Sequence, residues 1–283
     1  MILSGLKINT DASHREDKMT FKDLGLSEQT VKAIDEFGIT EPTTVQADVI
    51  PAILEGRDIF TIAPVRCGKT MSYVLPLLDI INAKKADNIL IITANSQMAV
   101  KTSDCLAVFN KYHEINGTAI QNGEEDVTRE ANVIIGAPDL LLDVAENSKV
   151  DLSKVNILVV DDINLIKKNK QLENLEKILD MLPSEKQNIV YTNRRSKETQ
   201  GILDKILKAP EEIKVDKAKE QEVEASQRKE PQAAVKPEKK SRQSFNSIID
   251  KEAEELSKKF KSFNGKTPAF ILVKGLVADD SDK

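Results

Sequence analysis

Between Phe21 and Val215, short runs of β-branched and aliphatic residues alternate with longer stretches whose apolar residues recur at helical spacing. That alternation confines the chain to βαβ units around a parallel sheet, because parallel strands need a covering crossover between them. The runs occupy residues 58–62, 88–92, 133–135, 155–160 and 187–191. Most offer no polar side to water and are predicted as strands buried on both faces. In the stretch 171–179, Leu172, Leu175, Ile178 and Leu179 fall on one side of a helix, and that face packs on the sheet. The expectation is an α/β fold, with one globular domain over residues 19–215 behind a short extension at 1–18.

Past Val215 the chain turns to Lys, Glu, Gln, Ala and Pro, with nothing apolar beyond isolated Val and Ala until Phe245. Such a stretch cannot offset the entropy of ordering it, so a flexible C-terminal tail is expected over 216–283. Within it, Ile248, Ile249, Leu256, Phe260 and Phe263 suit a short amphipathic helix, and residues 269–273 suit a strand. The segment 245–277 is then either a sticky patch in a disordered tail or a docking element for a protein partner or the chain's own domain.

The formal charge of -5 over 283 residues argues against coating nucleic acid by bulk electrostatics and leaves room for a local basic groove. Cys67 and Cys105 stand far apart and fit neither a disulfide framework nor a metal cluster. No apolar run approaches the roughly 18 to 20 residues of a membrane helix. The first residues lack a long apolar core followed by a cleavage site. A chain without membrane contact, in a reducing cytoplasm, is expected.

The sharpest local signal is Ala63-Pro64-Val65-Arg66-Cys67-Gly68-Lys69-Thr70, which follows a predicted strand and precedes the apolar helical stretch 71–78. A phosphate loop belongs at such a junction, where backbone N–H groups and a helix N-terminus surround the phosphates. In that reading Lys69 reaches the β and γ oxygens of ATP and the Thr70 hydroxyl sits on Mg2+. The bland alternative for Gly68-Lys69-Thr70 is a surface turn.

Upstream stand Phe21 and, seventeen residues later, Gly38, then Pro42-Thr43-Thr44-Val45-Gln46. On residues alone, Phe21 is a core residue and Gln46 a helix-capping amide. Their spacing to each other and to the phosphate loop resembles the Q motif of the DEAD-box RNA helicases. The resemblance implies that the aromatic packs on adenine, while the Gln46 amide, a donor beside an acceptor, matches adenine's polar edge. It covers residues 21–215 and implies a three-layer RecA-like P-loop NTPase domain that binds ATP and Mg2+, with single-stranded RNA as a weak ligand.

Asp161-Asp162-Ile163-Asn164, at the end of a predicted strand, is similar to the family's Asp-Glu-Ala-Asp motif. Asp161 would hold Mg2+ through water, and Asp162 would replace the catalytic glutamate that polarises the attacking water. Its carboxylate falls about 1 Å short, a misplacement that costs about 100-fold in rate. The alternative is a strand-to-helix cap. The family's loop has Gly at Arg66 and Ser at Cys67, so Arg66 either strains the loop or adds a cation. Thr192-Asn193-Arg194 is similar to the family's Ser-Ala-Thr motif. Ser96 and Leu140 stand where RNA-contacting arginines are expected, which removes two phosphate contacts.

Residues 208–215 resemble the last strand of the family's first domain, and fewer than seventy residues follow. A second domain with its arginine fingers, worth about 1,000-fold or more, does not fit there. The chain is therefore expected to bind ATP and to be weak or inactive as a lone helicase. Rival expectations are a pseudo-helicase that binds a protein partner through its surface or tail, and an ATPase completed in trans by a second helicase domain.

Overall fold

The computed structural model describes residues 19–86, 88–121 and 131–215. The expectations placed on 1–18 and 216–283 lie outside the described residues. In chain order the elements are α1 (Glu28–Phe37), α2 (Thr44–Leu54), β1 (Ile59–Ile62), α3 (Lys69–Asn82), β2 (Ile89–Ile92), α4 (Ser96–Phe109), β3 (Gly117–Ala119) and β4 (Val133–Gly136). There follow α5 (Pro138–Glu146), β5 (Ile157–Val160), α6 (Ile163–Lys168), α7 (Leu172–Met181), β6 (Gln187–Thr192), α8 (Lys197–Ile206) and β7 (Glu211–Lys214).

The strands form one seven-stranded sheet in the order β3-β4-β2-β5-β6-β1-β7. Every pairing is parallel. Period-2 alternation divides each strand between two cores. Ile59, Ile89, Ile91, Val159 and Ile189 join the residues of α1 to α4 on one face. Phe60, Leu90, Ile92, Leu158, Val160 and Val190 join α5 to α8 on the other. The expected three-layer α/β fold is therefore present, and β2 and β5 are buried throughout their length.

The α7 face named from its spacing also packs as expected, with Leu175 and Ile178 in the second core and Leu172 and Leu179 against it. One strand was absent from the sequence reading. The three-residue β3 opens on a glycine, pairs only with β4 at the sheet edge and carries no fully buried residue, so it has neither the length nor the apolar run that marks a strand.

A polar cluster ties α1 to the rest of the helical layer. Asp79 on α3 accepts from Ser27 N, from Ser27 Oγ and from Thr30 Oγ1. Because Thr30 gives its proton to that carboxylate, its oxygen is the acceptor for His113 Nε2, 3.0 Å away. The buried Nδ1 of His113 then carries no proton and has no partner. Burial holds the His113 pKa below its ordinary value, with Asp79 opposing in part. A histidine that resists protonation only when folded gives stability that is complete above about pH 6.5 and is lost as pH falls through the folded value. We expect thermal stability to decline as pH falls below about 6.5, and His113→Gln to flatten that decline in melting curves taken across the range.

Candidate functional site

In a parallel sheet all strands end on one edge, and ligands bind there. Here β1 runs into 63–70, β2 into Thr93-Ala94-Asn95, β5 into Asp161-Asp162 and β6 into Asn193-Arg194. Ala63 N donates to Thr192 O at 3.0 Å, and Asp161 N donates to Ile92 O at 2.8 Å. These ladder bonds carry the strand register into the loops.

The loop 63–70 bends into α3 through Gly68, which has φ +85°. A Cβ at Gly68 would sit 2.6 Å from Gln46 Nε2 and 3.0 Å from Thr43 Oγ1, so a side chain there would have to displace those groups besides straining the backbone. Those neighbours brace the loop. Thr43 caps α2 and, with Gln46 three residues on, forms a reciprocal capping box. The same groups reach across: Thr43 Oγ1 donates to Cys67 O at 2.9 Å, and Gln46 Nε2 donates to Gly68 O at 3.3 Å. Gln46 is thus the capping amide that the residues alone suggest, and through Nε2 it is also joined to the phosphate loop. Phe21 lies buried in the first core, 3% exposed, at the start of a short 3-10 turn.

Lys69 folds back over the loop, its ammonium donating to Ala63 O at 3.1 Å and Pro64 O at 3.0 Å. The buried Cys67 thiol donates to Pro64 O at 3.0 Å. Val65 and Arg66 are exposed. Arg66 adopts φ +66°, the left-handed region that disfavours a side chain, so the loop is strained at the position expected from sequence.

The two acidic residues after β5 part ways. Asp162, at φ +62°, is the N-cap of α6, and its carboxylate accepts from Leu165 N at 3.3 Å. Asp161 is 5% exposed and accepts from Tyr73 Oη at 3.0 Å. Burial pushes its pKa up; the Tyr73 hydrogen bond and the Lys69 charge pull it back. Asn164 Nδ2 bonds Thr192 Oγ1 at 2.8 Å, Asn193 Oδ1 at 3.0 Å and Arg194 O at 2.7 Å, which fastens the motif to the end of β6. Ser96 opens α4, which Asn95 caps, and Leu140 lies against the second core, so neither position supplies a cation.

Among the described residues no group of three or more His, Cys, Asp or Glu can hold a metal by itself. A Thr70 hydroxyl and an Asp161 carboxylate are hard oxygen donors, a set that suits Mg2+ shared with phosphates and water rather than a protein cage. The groups that sequence reasoning missed are Thr43, Tyr73 and Asn164. Thr43 was legible as a Thr-x-x-Gln capping box, whereas nothing in a local pattern marks Tyr73 or Asn164 as partners of residues far along the chain.

A glycine-turned loop between strand and helix, a lysine inside it and a carboxylate at the end of a nearby strand define a P-loop nucleotide-binding α/β domain. The DEAD/DEAH box helicase family model matches residues 43–194, and the chain belongs to that family. It is 29% identical over 215 residues to the DEAD-box ATP-dependent RNA helicase RhpA of Helicobacter pylori, covering 74% of this chain and 43% of that protein. It is 29% identical over 208 residues to the ATP-dependent RNA helicase DeaD of Escherichia coli, covering 71% and 33%. The chain therefore spans less than half the length of these relatives. Its fold matches the crystal structure of a DEAD box protein from Methanococcus jannaschii, with TM-score 0.66 and 24% identity over 70% of this chain and 56% of that one. No helix among the described residues is long and apolar enough to cross a membrane.

Relief of the strain at Arg66 gives a direct check. Arg66→Gly should raise stability by about 1 kcal/mol, seen as a melting temperature higher by about 2–4 °C. An unchanged or lower value would mean that the Arg66 side chain stabilises the loop by contacts that offset its backbone.

Proposed function

We propose that this domain binds ATP with Mg2+ as the nucleotide-binding half of a DEAD-box RNA helicase-like protein, and that this chain alone hydrolyses ATP slowly. The observation that carries the reading is the bracing of the phosphate loop by Thr43 and Gln46. A phosphate loop needs its backbone N–H groups preorganised around Gly68, and here α2 supplies that organisation from outside the loop. Phosphate then exchanges with the Ala63 and Pro64 carbonyls for the Lys69 ammonium, and Thr70 and Asp161 take the cation. Reading of adenine by Gln46, whose buried amide already accepts from Thr43 N and donates to Gly68 O, and packing of adenine on the buried Phe21 are taken from the family's pattern and form part of this proposal.

Slow turnover is supported by the carboxylate of Asp162, which is engaged in capping α6 and sits on a strained backbone. Single-stranded RNA is the expected weak ligand, since Ser96 and Leu140 replace cations that would hold its phosphates. A second helicase domain acting in trans is the means by which turnover would rise, and a pseudo-helicase that binds a protein partner through its surface or tail is the alternative reading.

Lys69→Ala removes a charge-assisted contact worth roughly 1.5–3 kcal/mol, so calorimetric ATP affinity should fall about 10- to 100-fold. No binding by the unmodified chain, or equal binding by the variant, would remove the nucleotide reading. Asp162→Glu should restore little hydrolysis, because the longer carboxylate still serves the cap. A phosphate-release assay showing brisk turnover in that variant would trace the slowness to one methylene.

A further inference from the structure

Tyr73, on the second turn of α3, is sealed from solvent, yet its hydroxyl meets the acidic end of β5. It donates to Asp161 Oδ2 at 3.0 Å and lies 3.3 Å from Thr102 Oγ1 on α4. Its ring packs against that of Tyr191, at a centroid distance of 5.4 Å. Tyr191 is held in turn by a 2.8 Å bond between its hydroxyl and Ser72 Oγ. The phenol is therefore held by partners on several sides, and against a carboxylate its O–H is the donor.

A buried tyrosine whose hydroxyl finds a partner is ordinary core chemistry. What distinguishes this one is the acceptor, since Asp161 is the carboxylate offered to the cation. The bond takes Oδ2 and leaves Oδ1 outside it, and it chooses the carboxylate orientation before any cation arrives. Supporting bonds of this kind tune the groups they orient, and their loss commonly costs 10- to 100-fold in metal affinity.

We propose that Tyr73 is a positioning residue for metal binding: it pins Asp161 through Oδ2 so that Oδ1 faces the cation side without reorganisation. The proposal rests on the nucleotide reading above. Thr102 makes α4 a party to the arrangement, because it steadies the same hydroxyl from the opposite side.

The test is the ratio of affinities for a fluorescent non-hydrolysable ATP analogue measured with Mg2+ and with EDTA, using the full chain. Tyr73→Phe keeps the ring and its contact with Tyr191 and deletes only the hydroxyl. The ratio should fall about tenfold. In the Asp161→Asn background, adding Tyr73→Phe should change the ratio no further, since the two act as a unit. A tyrosine with a merely structural role would lower both affinities together and leave the ratio intact, which would overturn the proposal. An independent effect in the Asp161→Asn background would overturn it as well. If Tyr73→Phe does not fold, Thr102→Val loosens the same hydroxyl from the other side, and its ratio should fall about threefold; an unchanged ratio there counts against the proposal. A parent chain that binds the analogue in neither buffer would sink the nucleotide reading and this inference together, whereas an unchanged ratio in a Mg2+-dependent protein sinks the role of Tyr73 alone.

Discussion

The contact between α2 and the left-handed turn at Gly68 is the constraint on which the rest of the site depends. Gln46 Nε2 and Thr43 Oγ1 approach the turn so closely that a side chain at Gly68 would have to displace them, and they bond the carbonyls of Gly68 and Cys67. One pair of side chains thus ends the α2 capping box and holds the loop. Because α3 begins at Lys69, the same contact sets the helix that carries Ser72 and Tyr73 under the site. Movement of the turn would shift the loop carbonyls around Lys69 and the hydroxyl on Asp161 together. An amide that serves a cap, a loop and, in our account, adenine is one group through which nucleotide binding and fold stability are coupled.

Two of the five non-glycine residues with positive φ among the described residues lie at the same edge of the sheet; the other three, Lys84, Ser148 and Lys170, follow the C-terminal ends of α3, α5 and α6. Arg66 and Asp162 are both non-glycine residues with positive φ, in the phosphate loop and in the acidic motif. Strained backbone persists only where its surroundings over-determine it, and it gathers at functional sites. For Asp162 the compensation is visible: its side chain caps α6, which is anchored in the second core by Ile163 and Ile166. Arg66 has no such device in the described contacts, and its exposure leaves the loop to bear the cost. The two departures from the family pattern differ in kind, one serving a cap and the other a strained substitution.

The layers of the fold were legible because buried parallel strands are continuous apolar runs, and five such runs gave five of the seven strands. Residues 208–215, read by resemblance, gave β7. Strand β3 escaped because an edge strand of three residues has little to bury. Within the site, the loop was legible because strand, glycine, lysine and helix are contiguous, and the Thr43 capping box was open to the same local reading. The Tyr73–Asp161, Asn164–Thr192 and Gln46–Gly68 bonds were not, since each joins a helix residue to a group far along the chain and forms only when the helices pack around the assembled sheet. For Asp161 and Asp162 the sequence left a metal site and a helix cap as alternatives. The structure divides them, with Asp162 as the cap and Asp161 facing Tyr73 and Lys69.

The most direct measurement is amide hydrogen exchange on the full chain with and without Mg2+ and a non-hydrolysable ATP analogue. If α2 and the phosphate loop form one nucleotide-responsive unit, protection should rise together across residues 63–70 and at the start of α2 around Thr43 to Gln46. Protection that rises in only one of the two segments, or nucleotide-induced change elsewhere while both stay unaltered, would contradict the account.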